Sequence, residues 1–156
     1  LEHRAIQICI RALTELRDLL PTPSDRPVAV GGAVPGDPYL LPSMAAALVL
    51  HGEGFDAVNL GADVPLATLA EAIERLDARL VWVSASVVAD ARALADDVGR
   101  LVERAAARSV HVVIGGRVAN VVPPHHAGNL LVGGSMSELA AFARGLRAAG
   151  AQPEPR

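Results

Sequence analysis

No lysine occurs in this chain of 156 residues; its 14 basic residues are all Arg, and 17 Asp and Glu outweigh them, leaving a formal charge of −3. That balance argues against gripping nucleic acid or acidic lipid through a basic face. Cysteine is almost as scarce. A single Cys9 excludes an internal disulfide and a Cys-based zinc cluster, fits a cytoplasmic chain, and reads as core filler rather than nucleophile. Long apolar runs are missing too: Leu40 to Leu50, broken by Pro42 and Ser43, falls well short of the roughly 20 residues that a bilayer span needs. The first residues lack the basic, apolar, cleavable order of a signal peptide, and the chain opens on Leu1. The expectation is a cytoplasmic segment of a longer protein.

Half of the composition, 51%, is hydrophobic and 20% is charged, enough for one domain with a real core. Ile6, Cys9, Ile10, Leu13, Leu16 and Leu20 recur at three- and four-residue steps, so 1–20 is expected to be an amphipathic helix, the end of a preceding domain. Pro21, Pro23 and Pro27 mark 21–27 as a linker. From Val28 onward, strand-type runs (28–32, 57–60, 80–84, 110–114, 130–132) alternate with helical periods (42–54, 66–76, 88–107, 135–149). Five strands in βαβ order imply an α/β fold, a parallel sheet covered on both faces. The domain is expected over 28–149 and a disordered tail over 150–156.

Ligands of such sheets sit beyond the carboxyl ends of the strands. After the first strand comes a long loop, residues 31–42, without a Gly-x-Gly-x-x-Gly or Walker pattern, which excludes nucleotide binding by those routes. Three other strands end in Ser84-Ala85-Ser86, Gly115-Gly116 and Gly133-Gly134. Small side chains at neighbouring ends leave an open slot, although each glycine pair alone is also what a turn demands. Trp82 inside its strand reads as core, and His51 and His111 read as structural or exposed. His125-His126 would need further ligands to hold a metal, and the sequence shows none.

Asp37-Pro38-Tyr39-Leu40-Leu41-Pro42 is followed after 41 residues by Ser84-Ala85-Ser86 and after a further 28 by Gly115-Gly116. Order and spacing resemble the vitamin B12-binding (cobalamin-binding) domain family, whose motif runs Asp-x-His-x-x-Gly, Ser-x-Leu, Gly-Gly. Gly52 to Pro65 is similar to the family's second strand and following loop. The resemblance covers 28 to about 148 and implies a five-stranded flavodoxin-like fold. It also implies a site of Asp37, Tyr39, Pro42, Ser84, Ser86, Gly115, Gly116, Gly133 and Gly134 for cobalamin or a related tetrapyrrole.

Three positions depart from the motif. Tyr39 stands where the family's His ligates cobalt, and a phenol with a pKa near 10 is a poor neutral donor. Pro42 replaces Gly and suits the first turn of a helix but stiffens the loop; Ser86 replaces Leu and keeps or widens the slot. Asp37, matching the residue that hydrogen-bonds that His, could here accept from the Tyr39 hydroxyl or cap a turn.

Leu60 to Pro65 and Asn129 to Ser135 resemble the B12 domains of bacterial MerR-type transcriptional regulators and photoreceptors more than the corrinoid carriers of methyl transfer. This implies a non-catalytic sensory module, a homo-oligomer whose DNA contacts lie in a segment N-terminal to this chain. The alternative is a degenerate domain that has lost the cofactor and serves dimerisation or protein interaction. A corrinoid-dependent enzyme is the weakest reading, since no acid/base pair is evident.

Overall fold

In a computed structural model, residues 2–21, 25–119 and 128–150 are described. The expected His125-His126 loop and residues 151–156 of the expected tail lie outside them. A first helix, α1 (Glu2–Leu19), precedes β1 (Val28–Ala33), α2 (Leu40–Gly52), β2 (Asp56–Asn59), α3 (Leu66–Leu76), β3 (Leu80–Ser84), α4 (Ala91–Ala106), β4 (His111–Gly115), β5 (Leu130–Gly133) and α5 (Met136–Gly150). The five strands form one parallel sheet in the order β2-β1-β3-β4-β5. That is the flavodoxin-like order, which reverses direction between β1 and β3.

Helices α3 and α4 pack together on one face and α2 and α5 on the other, with α1 lying against α2. The strands read as continuously apolar because both faces are covered. Alternate residues serve different cores. Val30, Val81, Val83, Val112 and Ile114 join the α3/α4 cluster. Ala29, Leu80, Trp82 and Val113 join the α2/α5 cluster with Leu50, Phe55 and Leu139.

Local chemistry sets the element ends. Asp90 caps α4 by accepting from the N–H groups of Arg92 and Ala93 at 2.9 and 3.0 Å. Ser135 and Glu138 close the start of α5: Glu138 N–H donates to Ser135 Oγ at 3.2 Å, and Gly134 N–H, one residue earlier, to Glu138 Oε2 at 2.7 Å.

Three expectations need correction. Cys9 is exposed on α1 and fills no core, because the half-buried stripe of that helix is carried by its neighbours Ile6, Ile10 and Leu13. Gly150 is the last residue of α5, not part of a tail. The end of the expected linker is tied to the domain, since Asp56 N–H donates to Pro27 O at 2.9 Å and Arg26 Nη1 to His51 O at 3.1 Å.

Candidate functional site: a cavity at the carboxyl edge of the sheet

Strand register brings Ala33, Ser84, Gly115 and Gly133 side by side as the last row of the sheet on its α2/α5 face. The row behind them is Gly31, Trp82, Val113 and Leu131. In each strand from β3 to β5, therefore, a large residue is followed two positions later by a small one. Helices α2 and α5 bridge over this step, and the unfilled space is a cavity of about 270 Å³.

The cavity is bordered by Pro42 and Ala46 of α2, Met136 and Leu139 of α5, and Trp82 and Val113 beneath. Of the nine residues expected at the site, six line it: Pro42, Ser84, Gly115, Gly116, Gly133 and Gly134. None of the lining residues among those described carries a carboxylate, imidazole, amine, guanidinium, thiol or phenol. Ser84 is the informative one. It is 5% exposed, and its Oγ is buried without a hydrogen-bond partner among the described residues. A buried hydroxyl left so is costly by about 1–3 kcal/mol unless a ligand or water completes it. Gly116, at φ +110°, keeps the β4 exit open; a Cβ there would overlap the Ala85 carbonyl.

The other three expected residues do not line the cavity. Asp37 is fully buried and binds backbone: Oδ1 accepts from Tyr39 N–H at 3.0 Å, and Oδ2 from Ser86 N–H at 2.5 Å and Val87 N–H at 3.3 Å. It thus both makes the turn into α2 and pins the loop after β1 to the loop after β3. The alternative of a bond from the Tyr39 hydroxyl is not what forms. Ser86 contributes its N–H to that clamp, so it neither keeps nor widens the slot. Tyr39 is 49% exposed at the same edge, with Leu60 and Val87 on loops and Met136 at the start of α5 as further exposed apolar side chains.

Sequence reasoning missed the support beneath the cavity. Trp82 Nε1–H donates to Ser43 Oγ at 3.0 Å, and Ser43 donates in turn to Asn59 Oδ1 at 3.0 Å, which also receives Gly61 N–H. This chain locks the indole plane across β1, where a Cβ on Gly31 would overlap the ring. Trp82 is thus core, as expected, and also the cavity floor. A signal existed: Ser43 interrupts an otherwise apolar helical run, which a buried hydrogen-bonding partner would explain. Asp63, with φ 56°, was missed as well; its Oδ1 accepts from Gly36 N–H at 2.7 Å and steadies the loop after β1 from the other side.

A parallel sheet of this order has counterparts among known proteins. The family model described as B12 binding domain matches residues 27–143. The chain belongs to the B12-binding domain family. A curated relative, dimethylamine corrinoid protein 1 of Methanosarcina acetivorans, is 29% identical over 107 residues, 67% of this chain and 50% of the relative. The chain thus spans about half the length of that relative. Among solved structures, the methanol:cobalamin methyltransferase complex of Methanosarcina barkeri superposes with a TM-score of 0.64 at 15% identity, covering 84% of this chain and 50% of that one. The monomethylamine corrinoid protein of the same organism gives 0.62 at 20% identity over 86% and 63%. A cobalamin-binding protein from Desulfitobacterium hafniense gives 0.57 at 19% over 92% and 70%. These structural likenesses carry the fold.

The cofactor of this B12-binding domain is cobalamin, and the residues present fit part of it well. A cavity of about 270 Å³ admits a planar aromatic base and not a corrin macrocycle. The Ser84 hydroxyl, unpartnered among the described residues, would supply one donor to such a base. Cobalt ligation by the protein fits poorly. Tyr39 offers a phenol oxygen in place of an imidazole nitrogen, and Asp37, the one carboxylate close by in sequence, has both oxygens committed to backbone N–H groups.

Proposed function

We propose that this B12-binding domain holds cobalamin by its nucleotide tail, with no protein side chain on cobalt, and acts as a non-catalytic regulatory or sensory module. The observation that carries the reading is the buried, partnerless Ser84 hydroxyl in the small-residue row. Ser84 would donate to the tail's base, Gly115, Gly116, Gly133 and Gly134 would let main chain close on it, and Trp82, Val113 and Leu139 would exclude water around it. The apolar rim of Tyr39, Leu60, Val87 and Met136 would underlie the macrocycle. Tyr39 stands where the motif of the family places its ligating His, so the lower face of cobalt is left to solvent.

Among the described residues the cavity wall carries no carboxylate, imidazole or amine, which favours a sensory role over acid–base chemistry at this site. The resemblance of Leu60 to Pro65 and Asn129 to Ser135 to the B12 domains of regulators and photoreceptors supports the same role. Occupancy then matters only if two assembly states bind cobalamin unequally. Self-association is the proposed output, with DNA contacts left to a segment N-terminal to this chain.

The test is the absorption spectrum of the purified protein before and after cobalamin is added and the excess removed, with elution volume measured on both samples. Retained colour of a base-displaced form and a changed elution volume are expected. Colourless protein after the excess is removed would refute cofactor binding and leave the cofactor-free interaction domain. The relatives named as corrinoid proteins favour a second reading, a corrinoid carrier serving a separate enzyme. That reading predicts retained colour with no change in elution.

A further inference from the structure

A second recess, about 540 Å³, opens at the opposite end of the sheet, on the same α2/α5 face. Three guanidinium groups from distant parts of the chain border it: Arg26 ahead of β1, Arg79 ahead of β3, and Arg147 near the end of α5. Among the described residues none of the three has a carboxylate within 4.0 Å, in a chain where acidic residues outnumber arginines. Among the described residues Asp25 is the one carboxylate on the border, so three of their cations face one anion there, an excess of two positive charges with His111 neutral.

Helix capping explains part of this cluster. Arg26 Nη1 donates to His51 O at 3.1 Å and Arg147 Nη1 to Gly54 O at 2.7 Å, both carbonyls at the end of α2. These bonds use one N–H of each fork and orient the others. Arg79 makes no side-chain hydrogen bond among the described residues, and capping gives no reason for its position. His111 borders the same recess, its Nδ1 buried without a partner and its ring edge-on to Phe142 at 5.7 Å between centroids. Burial holds its pKa below the ordinary value. Phe55, Pro27 and Leu146 supply an apolar wall.

Oriented guanidinium forks match phosphoryl oxygens, and the volume lies within the roughly 300–1,000 Å³ of small-molecule sites. We propose that this recess binds a phosphomonoester with a compact apolar body, its phosphoryl group on Arg79 and Arg147 beside His111 and its body against Phe55 and Leu146. The site is separate from the cobalamin cavity and stands whether or not that cavity is filled.

The experiment uses the full chain without cobalamin, with inorganic phosphate and phenyl phosphate as probes and phenol as the uncharged control. Binding is read from the His111 imidazole resonance and from calorimetry. Phenyl phosphate is expected to bind saturably, more tightly than inorganic phosphate, with phenol inert. Arg79→Gln, which removes no hydrogen bond of the fold, should weaken it roughly tenfold or more. A bound dianion favours the imidazolium, so the His111 pKa should rise on binding; the charges bordering the same recess are Arg26, Arg79, Arg147 and Asp25. No saturable change at His111 with either probe would overturn the proposal, as would unaltered affinity in Arg79→Gln. Equal affinity for the two probes would overturn the assignment of an apolar body.

Discussion

Under α3 and α4, the carboxyl edge of the sheet is filled: Val83 and Ile114 are buried side by side, and Val64 closes over Gly32. On the opposite face the matching row is Ala33, Ser84, Gly115 and Gly133, and the helices span empty space. Strands, register and length are shared, so the difference comes only from which of two alternating residues is large. One face is built for stability. The other withholds side-chain volume and leaves a hydroxyl unpaired, two costs that a domain folding for its own sake would have no reason to bear.

The largest expected effect is on the filled face. Ile114→Ala should destabilise by about 2–5 kcal/mol in denaturant melts, because it opens a cavity among close-packed neighbours. Ser84→Ala on the other face should lie within about 1 kcal/mol of the parent without cofactor, since it deletes an unpaired group. Comparable losses from both would erase the contrast.

Cofactor response sharpens it next. Cobalamin at 100 times its dissociation constant should add about 2.7 kcal/mol, several degrees of melting temperature at this size. Ser84→Leu, whose side chain enters the cavity, should fold and lose that shift. A Ser84→Leu protein that melts higher with cobalamin would remove the cavity from binding.

Asp37 couples the site to its surroundings. Asp37→Ala should cost about 2–3 kcal/mol, because three backbone N–H groups lose a shared acceptor, and should loosen the rim. Protease cleavage near residues 34–39 that rises in the variant checks the second effect.

A smaller effect is the pH dependence set by His111 at the far end. Its folded pKa lies below the unfolded value, so the unfolded chain binds the extra proton. Its share of stability is therefore complete above pH about 6.5 and is lost as pH falls toward the folded value. In phosphate-free buffer, melts of His111→Phe should be flatter across that window than those of the parent; parallel curves would contradict the assignment. The smallest effect is expected at Tyr39. With its hydroxyl off cobalt, Tyr39→Phe should leave the bound spectrum nearly unchanged, and a large spectral shift would place the phenol on the metal.

Much of this was legible along the chain. Apolar runs bounded by small or turn-forming residues placed all five strands within a residue or so of where they form, and the helical periods placed α2 to α5 with ends displaced by up to three residues. The spaced Asp37, Ser84 and Gly115-Gly116 picked out one edge of one sheet. What could not be read was direction. In a strand buried on both faces Trp82 and Val83 look alike, and only parity across the register puts Trp82 beneath the cavity and Val83 on the other side. The partners of Asp37 were equally hidden: Ser86 and Val87 offer main-chain N–H groups, which every residue but proline possesses and no side chain announces.

Composition and periodicity, acting through burial of apolar surface and backbone hydrogen bonding, therefore determined by themselves that this chain is a parallel α/β domain with small residues at three strand ends. Only the tertiary structure decided that six of the nine expected residues enclose one cavity and that Asp37 and Ser86 clamp loops instead. It alone also gathered Arg26, Arg79 and Arg147 around a second recess. Periodicity repeats every two or four residues and carries local information, whereas these groupings join residues up to 121 positions apart, as Arg26 and Arg147 are, through strand order and helix packing that no local pattern encodes.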